Sequence, residues 1–81
     1  AKAVAERIRN GAGDSMMDSV DKAYEIALNR KPGRLELAEG AAFIAAQTER
    51  HRSSGSKNHE MLALTDFAQV VMNLNEFIYV D

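Results

Sequence analysis

Apolar residues recur at spacings of three and four along nearly the whole chain, and three clusters of helix breakers interrupt them. A 3.6-residue period is satisfied only by helices that bury one face, so this pattern constrains the fold more than any other feature. The first break is Gly11-Ala12-Gly13-Asp14-Ser15 and the second is Pro32-Gly33. The third, Ser53-Ser54-Gly55-Ser56-Lys57-Asn58, is the only linker-like stretch. Three breaks predict four helical segments. No β-branched alternation is long enough for a strand, and no internal repeat is visible. A chain of 81 residues holds one domain, residues 1–81, with a modest core and little room for an enclosed active site. The expected fold is all-α: a small bundle of four helices, the first one short, with short connections that favour antiparallel neighbours.

Segment one spans about Lys2 to Asn10, with Val4, Ala5 and Ile8 on one face. It is too short to persist without tertiary contacts. Segment two spans about Met16 to Arg30, and Asp14 or Ser15 is positioned to cap its first turn. Its expected stripe is Met17, Val20, Tyr24, Ala27 and Leu28. Asn29 can take the left-handed cap conformation, and Pro32 prevents continuation. Segment three spans about Arg34 to His51, with a stripe of Leu37, Ala41, Ile44 and Thr48 beside Phe43. Gly33 is its N-cap, and Glu36 three residues on supplies half of a capping box that lacks the Ser or Thr hydroxyl. Gly40 lies mid-helix at a cost of about 1 kcal/mol against Ala, which implies that another helix approaches closely there. Segment four spans about Met61 to Phe77, with Leu64, Phe67, Ala68, Val71, Leu74, Asn75 and Ile78 in register. It is apolar over most of its girth and should be the most buried. Asn73 and Asn75 compete for backbone hydrogen bonds and mark its end, leaving Phe77-Ile78-Tyr79-Val80 as an apolar tail that folds back or docks on another domain.

Composition removes several function classes. Cys is absent, which excludes disulfides, thiolate metal sites and c-type haem attachment. Ten basic residues against twelve acidic ones give a net charge of −2, without the basic excess of a phosphate-tracking nucleic-acid binder. No apolar run approaches the 18 to 20 or so residues of a membrane span, so neither nucleic-acid binding nor membrane insertion is expected. The start, Ala1-Lys2-Ala3, has no initiator Met and no signal peptide. It reads as part of a longer chain.

Few residues suggest chemistry. His51, His59 and Glu60 are the only metal candidates, but they match no zinc spacing. Ser53, Ser54 or Ser56 with His51 or His59 and Asp66 supplies the residue types of a nucleophilic triad. The serines lie in a linker that cannot pre-position an attacking oxygen, and no nucleophile elbow is present. Gly11-Ala12-Gly13-Asp14 lacks the strand and third Gly of a dinucleotide loop and reads as a helix break. Arg50 and Arg52 belong to a solvated helix end, where cations suit the macrodipole. No catalytic residue, enzyme activity or cofactor is implied.

Two stretches carry a family pattern: Ala23-Tyr24-Glu25-Ile26-Ala27-Leu28-Asn29-Arg30-Lys31-Pro32-Gly33-Arg34-Leu35-Glu36, and Ala68-Gln69-Val70-Val71-Met72-Asn73-Leu74-Asn75-Glu76-Phe77-Ile78-Tyr79-Val80-Asp81. Together they resemble the C-terminal part of the planctomycete-type "PSD" domain of unknown function, found in large cytochrome-associated proteins. The motif residues are Arg30, Pro32, Glu36, Asn73, Asn75, Glu76, Phe77 and Tyr79. Asn29 stands where the family usually has Gly, and Gly33 where it has Thr. A looser similarity to phycobilisome linker domains points towards assembly rather than catalysis.

The resemblance implies a structural or protein-interaction module of a large exported, multidomain protein, with that protein's other domains as partners. Exported or periplasmic localisation is implied by the resemblance alone. Phe77, Ile78 and Tyr79 are the interaction candidates, together with Met16, Met61 or Met72. The alternative is a ligand- or metal-binding accessory module of a polysaccharide-handling or redox protein. Recurrence of Arg30 and Glu76 in the motif also suggests that these two side chains pair.

Overall fold

A computed structural model describes the backbone of residues 2–12 and 15–80, and the side chains of residues 3–12 and 15–74. The described residues form four helices packed in one bundle: α1 (Lys2–Ala12), α2 (Met16–Leu28), α3 (Arg34–Ser53) and α4 (His59–Val80). The all-α, four-helix expectation holds, with α1 the shortest.

Local chemistry explains the boundaries of α2 and α3. The Ser15 hydroxyl accepts a hydrogen bond from the Asp18 N–H at 3.2 Å and caps α2. Of the two proposed caps, Asp14 lies outside the described residues. α2 stops at Asn29, whose φ of 54° and ψ of 38° are left-handed and whose N–H reaches the Glu25 carbonyl. Asn tolerates that conformation because its short polar side chain bonds locally. At Gly33 the Glu36 carboxylate accepts the backbone N–H at 2.8 Å, which is the surviving half of the capping box. The α3–α4 turn closes on Gly55, whose φ of 85° suits a residue without a Cβ.

Several boundaries differ from the sequence reading. α1 runs through Gly11 to Ala12, two residues beyond its expected end. α2 stops at Leu28 rather than Arg30, α3 runs to Ser53 rather than His51, and α4 begins at His59 rather than Met61. α4 continues past Asn73 and Asn75 to Val80, so these asparagines do not end it and residues 77–80 are helical rather than an irregular tail. An Asn inside a helix costs only a few tenths of a kcal/mol, too little to stop one whose earlier turns are packed. The side chains of Asn75 and of residues 76–80 lie outside the described residues, as does Asp81.

The core is one cluster to which every helix contributes: Ala5 and Ile8; Val20, Ala23 and Tyr24; Ile44; and Ala63, Leu64, Phe67, Ala68 and Val71. Ile8, Val20 and Val71 are its largest fully buried side chains. Burial of a side chain of this size is worth about 1.5–3 kcal/mol, so the two buried residues of α1 anchor a helix too short to stand alone. α4 supplies the most core residues, in keeping with its apolar girth, although Leu62, Val70 and Leu74 remain exposed.

The buried face of α2 is rotated from the expected stripe. Met17 is exposed, while Ser19 and Ala23 are buried. Ser19 tolerates burial because its hydroxyl donates to the Ser15 carbonyl at 3.0 Å, and Ala23 offers little volume to keep a neighbour away.

Gly40 is where α3 comes closest to its neighbours. A Cβ built there would lie 2.8 and 3.0 Å from the two Val20 methyls and 3.1 Å from Phe67 Cζ. The close approach expected from a mid-helix glycine is present. The Phe43 and Phe67 rings stack beside it in a tilted pair with centroids 6.0 Å apart.

Candidate functional site

Charged and polar side chains gather in two places. The first is the α2–α3 turn. Asn29 turns the chain out of α2, and Arg30 follows with its guanidinium aimed at the start of α3. Nη1 donates to Glu36 Oε1 and Nη2 to Glu36 Oε2, both at 2.9 Å, in a bidentate fork. Nη1 also donates to the Lys31 carbonyl at 3.1 Å. The guanidinium carbon sits 5.2 Å from the Tyr24 ring centroid, within cation–π range.

Arg30 and the Gly33 N–H together hold the Glu36 carboxyl well below its ordinary range, at about 2. The same bond raises the Arg30 pKa. Burial pushes the Tyr24 phenol up, and the negative charge of Glu36 adds to that. The set ties the end of α2 to the first turn of α3. Arg30, Pro32 and Glu36, three of the residues that carry the resemblance, thus belong to one turn. Of the suggested Arg30–Glu76 pair, the Glu76 side chain lies outside the described residues; both arms of the fork described go to Glu36.

The second place is the α3–α4 face. Asp66 Oδ2 accepts from Gln47 Nε2 at 2.9 Å and is 2.7 Å from His51 Nε2. All three side chains are part-buried. Because a carboxylate offers only acceptors, the geometry puts a proton on His51 Nε2. Gln47 and His51 are four residues apart and therefore share one face of α3. That i, i+4 polar pair is the signal from which the contact could have been read.

The remaining candidates do not converge. His51 turns to Asp66, while His59 Nδ1 stands 3.4 Å from the Ser56 carbonyl. Among the described residues no group of three or more His, Cys, Asp or Glu is arranged to hold a metal ion, so His51, His59 and Glu60 do not form one. His51 and Asp66 do meet, as the proposed triad would need, but the Ser54 hydroxyl donates to the Arg50 carbonyl. No serine hydroxyl among the described residues bonds the His51 ring. Arg52 is held by Glu49 through contacts of 2.6 to 3.1 Å, consistent with a solvated helix end. The Glu49 carboxyl is lowered by that bond.

Two shallow concavities lie where α4 begins. One, of about 90 Å³, has an apolar floor of Met16, Ile44 and Leu64 with Arg9 and Glu60 among its other lining residues. The other, of about 160 Å³, is lined by Lys57, Asn58 and His59 and shares Arg9 and Glu60 with the first. Both fall short of the roughly 300–1,000 Å³ of small-molecule sites.

Among the described residues no helix is long and apolar enough to cross a membrane. Of the interaction candidates, Met16 is exposed, Met61 packs against the core and Met72 is half-buried. Phe77, Ile78 and Tyr79 lie on the last turns of α4, their side chains outside the described residues. Compared with protein-family models, curated proteins and solved structures, the chain matches none.

Proposed function

We propose that this bundle is a structural, protein-interaction module of a larger exported multidomain protein, packing against that protein's other domains. The observation that carries this reading is where the bundle leaves large apolar side chains in water. Leu35 is 70% exposed, Leu74 44% and Val70 40%. Isolated exposed apolar residues are ordinary, but these three share one end of the molecule. α3 and α4 run antiparallel, as the Gly40–Phe67 contact and the joint lining by Thr48 and Glu60 indicate. The first turn of α3 therefore lies beside the later turns of α4, which continue into the apolar stretch 77–80. Met16, Met17 and Leu62 are exposed at the opposite end, but the end with Leu35, Val70 and Leu74 also leads into the apolar sequence 77–80, and an apolar patch of that kind supports a contact region. The small size of the concavities favours contact over an enclosed reaction site. The resemblance to the planctomycete-type domain supplies the exported setting.

The test is size-exclusion chromatography with light scattering on the domain alone and mixed with the remainder of the longer protein. Co-migration that is lost in a Leu35→Lys, Leu74→Lys variant with unchanged helical circular dichroism supports the reading. A monomer indifferent to the remainder overturns it.

A further inference from the structure

We draw no further inference here: the strongest candidate, the apolar concavity that Met16, Ile44 and Leu64 floor where α4 begins, holds only about 90 Å³ and nothing in the structure shows what covers it.

Discussion

At Gly40, α3 is held against α2 and α4 by shape, whereas at the α2–α3 turn the same α2 and α3 are held together by charge. The first contact is dry. Val20 is fully buried and Phe67 nearly so, and the glycine leaves no space for a methyl group. The second is wet: the Arg30 and Glu36 side chains are 45% and 37% exposed. Both regions are well formed, yet they should respond differently to perturbation. A close-packed interior transmits every added atom as strain. An exposed ion pair is screened by water and salt, and is worth little even with good geometry. The bundle's stability should therefore be governed by the crossing, and its acid response in part by the turn.

The largest effect is expected from Gly40→Val. Its Cβ alone would sit at 2.8 Å from a methyl of Val20, itself a stiff β-branched residue. Overpacking of this kind costs about 1–3 kcal/mol, occasionally more, and urea unfolding should give a loss at or above the upper figure. Unchanged stability would mean that the helices do not cross here.

A sharper comparison pairs Gly40→Ala with Gly11→Ala. Each substitution gains up to about 1 kcal/mol of helix propensity. At Gly40 the Val20 and Phe67 contacts should outweigh that gain and leave a net loss of about 1 kcal/mol. At Gly11 the three atoms nearest the added methyl all belong to Lys22, with Cε at 2.5 Å. That is the far end of a flexible side chain, whose ion pair with Glu25 is exposed and weak. Gly11→Ala should therefore stabilise by about 0.5 kcal/mol. Two glycine substitutions of the same sign in urea titrations would remove the distinction between a crowded glycine and a tolerated one.

The same contrast explains what was legible in the sequence. Local signals could be read directly. Asn29 before Pro32 gave the helix stop, Glu36 three residues after Gly33 gave the half capping box, and a lone mid-helix glycine gave the close approach. Each depends on the chemistry of a few consecutive residues or on helix geometry. The errors came where tertiary context decides. Asn73 and Asn75 look like terminators until the packing of Phe67, Ala68 and Val71 outweighs a small propensity deficit. Met17 looks like part of the α2 stripe until the helix packs with Ser19 inward, its hydroxyl turned back to Ser15. The Asp66 contacts join residues 15 and 19 apart in sequence, and the i, i+4 pair of Gln47 and His51 marks a polar face of α3 without naming its partner on α4. The Arg30–Glu36 fork spans only six residues, yet it too is hidden in the sequence, because Glu36 reads there only as a cap for α3.

Asp66 lies between the two regimes, since it is part-buried and joins α3 to α4 by hydrogen bonds. Asp66→Ala removes the acceptor of both Gln47 and His51. A loss of about 1 kcal/mol is expected, smaller than at the crossing because both donors can still reach water. Asp66→Asn keeps one acceptor oxygen and should lose less. If both variants were as stable as the parent protein, the polar contact would contribute nothing to holding α4.

The smallest effect, and the one that separates charge from shape, is the acid response of Glu36. Its carboxyl is at about 2 in the folded chain, against about 4.3 for an unfolded glutamate. A depressed folded value means that the unfolded state binds the proton more readily. The stabilisation is therefore fully present above about pH 4.3 and fades as pH falls through about 2. Exposure limits its size, so Glu36→Gln should lower the thermal midpoint only slightly at pH 7. The gap between the two proteins should then narrow between about pH 4.3 and 2, because the glutamine variant has no proton to take up at this position. Gly40→Ala should lower the midpoint by a similar amount at every pH in that range, since no charge is involved. A Glu36→Gln gap that stays constant down to pH 2 would show that the fork holds the turn by geometry alone.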